Sequence, residues 1–217
     1  MNKPIALFLA GTNGSGKSTY RFANKIEFLN LINIDPDKFI KDNNGNNALG
    51  SKLAINTFNA CIKNKISFSM ETTLSGKSVL NRIKQAKNNG FNVKIIYIGL
   101  DNSNLNIQRV EARVNRGGHN IETNLIIKRY KESRLNLIKS LPLIDNLKLY
   151  DNSTNKLIKC LEVDKQKLID LNTPLKKWVS DVCSNILFNE NGNLCLPIKN
   201  IEKMTDIGKN KDINKEL

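Results

Sequence analysis

Residues 11–18 read Gly-Thr-Asn-Gly-Ser-Gly-Lys-Ser, a full match to the phosphate-cradling loop GxxxxGK(S/T). Such a loop works only where a buried strand turns sharply into a helix, so it fixes a strand before residue 11 and a helix after it. The flanking sequence agrees. Pro4-Ile5-Ala6-Leu7-Phe8-Leu9-Ala10 is an apolar run, and helical spacing follows over residues 18–28. In that setting successive backbone N–H groups form an anion nest, and the helix N-terminus adds about half a positive charge. The candidate nucleotide-binding residues are Gly11, Asn13, Gly14, Ser15, Gly16, Lys17, Ser18 and Thr19. Lys17 is expected to reach the β- and γ-phosphates, and the Ser18 hydroxyl to bind the metal, which makes ATP and Mg²⁺ the expected cofactors.

A chain of 217 residues suffices for one α/β domain with a buried core and a small appendage. No apolar run approaches the ~20 residues needed to cross a bilayer, so no membrane partner is expected. Met1-Asn2-Lys3-Pro4 leads straight into the first strand, leaving no room for a secretory leader in this reading. Cys61, Cys160, Cys183 and Cys195 are scattered, with no CxxC pair and no neighbouring histidine. Neither a zinc site nor a disulfide framework is indicated, and a reduced, cytoplasmic protein is the simplest expectation. The net charge of +14 invites a nucleic-acid reading, but lysine is spread along the whole chain and aromatics make up only 6%. Nucleic-acid binders gather basic residues on a face with stacking aromatics between them, so a nucleic-acid partner is disfavoured.

Apolar runs bounded by turn residues recur at 5–10, 31–34, 67–70, 93–100 and 147–150, with helical spacing between them at 49–63, 78–88 and 125–141. Strands alternating with helices predict βαβ crossovers and a parallel sheet covered on both faces. Residues 43–47, Asn-Asn-Gly-Asn-Asn, read as a loop. Beyond Ser153 the alternation weakens: 156–163 suggests a further strand, 175–187 a helix and 189–193 a turn. The expected organisation is a nucleotide-binding domain over 1–153, an extension packed on it over 154–200, and a flexible tail over 201–217.

Ligands of open parallel sheets sit outside the carboxyl ends of the strands. The second strand ends in Ile34-Asp35-Pro36-Asp37, and a phosphoryl-transfer enzyme needs a carboxylate there to orient an acceptor hydroxyl and take its proton. The same residues also make a good helix start, with Asp35 as N-cap and Pro36 at the first position. Both uses fit together if Asp35 caps and Asp37 catalyses. The third strand ends in Glu71-Thr72-Thr73-Leu74-Ser75-Gly76. Its carboxylate and hydroxyls can hold a polyhydroxylated acceptor or metal-bound water, or can simply bond to their own turn.

Residues 104–120 place Arg109, Arg113 and Arg116 at i, i+4 and i+7, a cationic stripe if the segment is helical, with Gly117 as a left-handed stop and Gly118 as a hinge. Arginines closing over a transferring phosphoryl group stabilise its equatorial charge, although a solvated surface helix would carry the same pattern. His119, the only histidine, falls in the glycine turn and is expected to touch substrate rather than serve as a base. Arg129 and Arg134 on the next helix are weaker candidates.

Taken together, GTNGSGKST (11–19), NIDPD (33–37), ETTLSG (71–76), RVEARVNRGGHNI (109–121), RY (129–130) and LYDNS (149–153) resemble the zeta-toxin kinase family, and most closely its stand-alone branch. The resemblance implies a P-loop kinase-like three-layer α/β/α sandwich with a mostly parallel sheet and an arginine-rich lid. It implies ATP-dependent phosphorylation of a small-molecule hydroxyl, such as that of UDP-N-acetylglucosamine, and a toxin–antitoxin pairing with an antitoxin protein as partner. By position, Lys17 and Ser18 resemble the nucleotide-binding pair, Asp37 the general base and Glu71 an acceptor-site glutamate. Arg113 and Arg116 fall where family arginines grip the triphosphate. This sequence departs from members active on UDP-N-acetylglucosamine, which carry a further glutamate before the third strand, because residues 54–59 hold no carboxylate.

Two rival readings follow from the residues. Leu74-Ser75-Gly76 is the start of a transporter-ATPase signature, which would make the chain a hydrolysis-driven machine, but Lys77-Ser78 follows it where Gly-Gln is required. The basic charge would suit a nucleic-acid 5′-hydroxyl kinase, whose binding would weaken steeply with added salt.

Overall fold

The computed structural model describes residues 3–165, 167–185, 187–188 and 194–195, so the expected turn at 189–193 and tail at 201–217 lie outside the described residues. Strands β1 (Ile5–Ala10), β2 (Ile32–Ile34), β3 (Phe68–Thr72), β4 (Asn92–Gly99) and β5 (Asn146–Asp151) pair in parallel in the order β2-β3-β1-β4-β5. The phosphate loop therefore leaves the middle of the sheet, where the chain runs first to one side and then to the other. Strands β6 (Ile158–Asp164) and β7 (Lys167–Leu171) continue the same sheet antiparallel, making seven strands. The second of these has no counterpart in the sequence reading, because its alternation of exposed and half-buried residues is that of an edge strand with little apolar signal.

The helices are α1 (Lys17–Ala23), α2 (Pro36–Asp42), α3 (Asn47–Asn64), α4 (Lys77–Asn88), α5 (Ser103–Val114), α6 (Thr123–Ser140) and α7 (Lys177–Cys183). They cover the sheet unequally. One face packs Phe8, Phe68, Met70, Ile95 and Leu149 against buried residues of α3, α4, α6 and α7. The other packs Leu7, Leu9, Ile96 and Ile98 against Tyr20 of α1 and Phe28. No helix among the described residues is long and apolar enough to cross a membrane.

The helix expected over 18–28 stops at Ala23. The backbone N–H and side-chain amide of Asn24 both donate to the Tyr20 carbonyl at 2.9 Å, which closes the last turn. A 3-10 turn, Lys25–Phe28, then brings Phe28 edge-on to Tyr20. Asp35 caps α2, accepting the Lys38 N–H at 3.2 Å, with Pro36 at the first helical position.

Trp178 of α7 joins the late segment to the core. Its ring is 1% exposed, and its N–H donates to Asp151 Oδ2 at 2.6 Å. Gly99, the last residue of β4, leaves room for that ring: a Cβ there would stand 2.5 Å from Cζ2 and Cη2. Gly99→Ala should thus overpack the junction and destabilise the protein by about 1–3 kcal/mol, read as a lower urea midpoint at unchanged m. An unchanged midpoint would show that the ring is not held there.

Candidate active site

The phosphate loop is clamped from two sides. Its Gly11 N–H donates to the Thr72 carbonyl of β3 at 3.2 Å. Gly14 passes under α5 with φ +75°, where a Cβ would lie 2.8 Å from the Asn106 carbonyl oxygen. The buried Asn106 amide donates to Thr12 Oγ1 at 2.7 Å and to the Asn13 carbonyl at 2.6 Å. Just past β5, Asn152 Nδ2 donates to the Ser15 carbonyl at 2.8 Å and stands 2.4 Å from where a Gly16 Cβ would be. Arg109 holds Asn152 in turn, donating to its carbonyl at 2.7 Å. Asn106 and Asn152 were not singled out from the sequence. The available signals were a polar residue on the inner face of a helix, and the Asn of the Leu-Tyr-Asp-Asn-Ser strand end.

Lys17 opens α1 and is buried. Its ammonium donates to the carbonyls of Gly11 (2.9 Å) and Thr12 (3.3 Å) and lies 3.9 Å from Glu71 Oε1. Burial lowers its pKa, while Glu71, Asp37 and Asp35 pull it back up. Glu71 does not bond to its own Thr-Thr turn. It accepts from the Ser18 hydroxyl at 3.4 Å and stands 4.0 Å from Arg21 Nε. Burial raises the Glu71 pKa; the Lys17 and Arg21 charges offset part of that rise. The Arg21 guanidinium lies over the Phe28 ring at 4.2 Å and donates to Ser69 Oγ at 3.1 Å.

Beside the loop, a cavity of about 220 Å³ is lined by Asn13, Lys17, Asp35, Asp37, Glu71, Thr72 and Thr73, together with Arg82 and Arg129. Asp35 is engaged as the α2 cap, whereas Asp37, two residues further on, is exposed in the first turn. Thr72 Oγ1 accepts the Leu74 N–H at 3.0 Å, and Thr73 Oγ1 pairs with Ser75 Oγ at 2.8 Å. Leu74 itself is fully buried, with its carbonyl bound by Asn136 at 2.9 Å, so the leucine anchors a turn whose Gly76 is exposed. Arg129 belongs to this site, donating to Asn13 Oδ1 at 2.9 Å. Arg134 does not: it bonds the Leu100 carbonyl at 2.6 Å.

The arginine stripe is shorter than its spacing predicts. Helix α5 ends at Val114, so Arg109 and Arg113 are helical, while Arg116 sits in the turn that Gly117 completes at φ +83°. Arg109, Arg113 and Arg116 line a separate cavity of about 410 Å³ with Gly117 and Gly118. Arg113 donates to the His119 carbonyl at 2.7 Å and packs over Gly118. His119 is exposed and lines neither cavity. Among the described residues no group of three or more His, Cys, Asp or Glu could hold a metal ion, so a metal here would rest on Ser18 and Glu71, both hard oxygen donors, and on the nucleotide.

The raised Glu71 pKa has a definite sign in stability. The folded state keeps the proton to higher pH than the unfolded chain, so ionisation of Glu71 destabilises the fold as pH climbs above 4.5, and that loss is complete once the folded carboxyl has titrated. Glu71→Gln removes the loss. Urea unfolding from pH 4.5 to 8 should show the variant gaining on the parent as pH rises; a constant difference would mean Lys17 and Arg21 fully compensate the charge.

Residues 46–158 match the zeta toxin family model, a stretch that begins after the phosphate loop. Over 130 residues the chain is 42% identical to an uncharacterized protein of Haemophilus influenzae, covering 58% of this chain and 91% of that protein. Similar solved structures include the PezAT chromosomal toxin–antitoxin system of Streptococcus pneumoniae, with TM-score 0.59 and 16% identity over 96% of this chain and 85% of that one. They also include AvrRxo1-ORF1:-ORF2 with ATP, with TM-score 0.61 and 14% identity over 99% and 67%. The AvrRxo1-ORF1:AvrRxo1-ORF2 structure with sulphate ions gives TM-score 0.60 and 16% identity, with 79% of this chain covering 62%, less than two thirds, of that chain. At such identities these structures establish a shared fold. The matched segment takes in β3, α4 and α5 together with the Glu71, Thr72, Thr73, Arg82 and Arg129 wall of the cavity beside the loop, and on that match the chain belongs to the zeta toxin family of P-loop kinases.

Proposed function

We propose that this protein transfers the γ-phosphoryl group of ATP to a hydroxyl of a small molecule. A nucleotide sugar such as UDP-N-acetylglucosamine is the acceptor that the family resemblance supplies. The observation that carries the reading is that Lys17 and Asp37 line one cavity, a loop cation and a carboxylate from the first turn of α2. A similar fold with ATP bound, AvrRxo1-ORF1:-ORF2, supports the nucleotide.

The phosphate loop would bind the β- and γ-phosphates through its amides and Lys17. Transfer forms a bond from the acceptor oxygen to the γ-phosphorus and breaks the bond to the β,γ-bridging oxygen, so ADP leaves. The hydroxyl proton passes to the Asp37 carboxylate, which is uncommitted because Asp35 does the capping. Mg²⁺, held by Ser18 and steadied by Glu71, would neutralise charge on the phosphates. Glu71, Thr72 and Thr73 would hold the acceptor, with Arg129 at the same wall. Arg109, Arg113 and Arg116 would close over the triphosphate from α5 and its turn, and their present place in a separate cavity sets that closure as a requirement. The toxin–antitoxin assembly of the Streptococcus pneumoniae relative makes an antitoxin a candidate partner here too.

Asp37→Asn should retain ATP binding and melting temperature while lowering turnover by about 10²-fold or more. Lys17→Ala should abolish the thermal shift produced by Mg-ATP. Near-normal turnover in the first variant would leave Asp37 as no more than a first-turn charge of α2, and an unchanged shift in the second would remove the nucleotide site from this loop. Incubation with Mg-ATP and a metabolite extract, followed by mass spectrometry for species heavier by one phosphoryl unit, identifies the acceptor.

A further inference from the structure

The cavity beside Lys17 contains three cations, and two of them are already engaged. Lys17 is bound by the Gly11 and Thr12 carbonyls and faces Glu71, and Arg129 is bound by Asn13. The third, Arg82, projects from the second turn of α4 into the same cavity. Arg82 makes no hydrogen bond and no ion pair with the described residues. Its nearest aromatic partner is the Phe58 ring, 5.9 Å from the guanidinium carbon, at the outer limit of a useful cation–π contact. Burial lowers its pKa with no neighbouring charge acting on it in either direction. A partly desolvated guanidinium with five donors and no acceptor is a poor structural element and a good anion receptor, because its planar fork matches a phosphate or carboxylate. The cavity is also small. About 220 Å³ falls below the roughly 300–1,000 Å³ that holds a drug-sized ligand.

We propose that Arg82 is a specificity residue that binds an anionic group of the acceptor, so that the acceptor is a compact hydroxy compound carrying a phosphate or a carboxylate. The inference rests on the kinase reading above; a nucleotide sugar also carries an anionic diphosphate, and it is the small cavity that favours a compact acceptor over it. With the anion on Arg82 and the hydroxyl at Asp37, the acceptor is oriented by two groups of opposite charge on different elements, α4 and α2. A neutral sugar would leave the partly desolvated Arg82 charge unpaired, which disfavours it.

The test uses the full chain saturated with Mg-AMP-PNP, so that the phosphate loop is filled and cannot capture the probe. Glucose, glucose 6-phosphate and gluconate form a matched set of neutral, phosphorylated and carboxylated polyols, to be titrated calorimetrically. At least one anionic probe should bind while glucose does not, and which one binds separates phosphate from carboxylate. Arg82→Gln should weaken that probe by about tenfold or more, Arg82→Lys should keep part of the affinity, and AMP-PNP affinity and melting temperature should be unchanged in both. Equal binding of glucose, no binding of either anion, an Arg82→Gln variant as tight as the parent, or UDP-N-acetylglucosamine outcompeting both small anions would each overturn the inference. Failure of AMP-PNP itself to bind the parent protein would instead overturn the kinase reading, and this inference with it.

Discussion

Everything at the carboxyl end of the sheet is arranged around one buried ammonium. Lys17 stands at the turn from β1 into α1, and removing its charge from water is unfavourable unless the surroundings compensate. Compensation comes from two loop carbonyls and from Glu71 on β3, which is in register beside Leu9 of β1. That single requirement ties the loop to the neighbouring strand. It also places Ser18, the next residue, against the same carboxylate. A bound triphosphate would replace these internal acceptors with better ones.

The unequal covering of the sheet serves the site. The heavy layer of α3, α4, α6 and α7 supplies most of the buried apolar surface, so the face that carries α1 contributes the smaller share of stability. That face is left thin, and a cavity of about 440 Å³ lined by Leu7, Lys94, Ile96 and Lys148 opens there, remote from the phosphate loop and holding none of the predicted site residues. Rigidity at the loop comes instead from Asn106 and Asn152, which reach across 93 and 137 residues of chain to bind a backbone carbonyl. Two amides fix the cradle more directly than packing would, because each ends at an acceptor of the loop itself.

The sequence made β1 and β4 legible because they are largely buried on both faces and read as nearly continuous apolar runs: β1 was placed to the residue. Asp35, Pro36 and Asp37 were legible as a helix start because capping is local chemistry. What escaped was non-local. The edge strand β7 carries little apolar signal, the break after Ala23 depends on one asparagine turning back on Tyr20, and the end of α5 at Val114 removes Arg116 from the stripe. Arg82 escaped for the same reason: nothing in its neighbourhood marks it, and only the turn from β3 into α4 brings it to the cavity.

Arg21 shows what it means for a site to be built ahead of its ligand. Its Nε and Nη2 are buried and find no hydrogen-bond partner among the described residues, although Glu71 Oε2 is only 4.0 Å away. Buried donors left unmade are each unfavourable by about 1–3 kcal/mol, and a protein selected only for stability would close that gap. Glu71 cannot close it while it also faces Lys17 and Ser18 on its other oxygen. Three groups compete for one carboxylate, and the competition persists because the carboxylate is positioned for the phosphate loop rather than for the arginine. Local rules fail here and hold in the strands and caps elsewhere, as expected where function rather than folding sets the geometry.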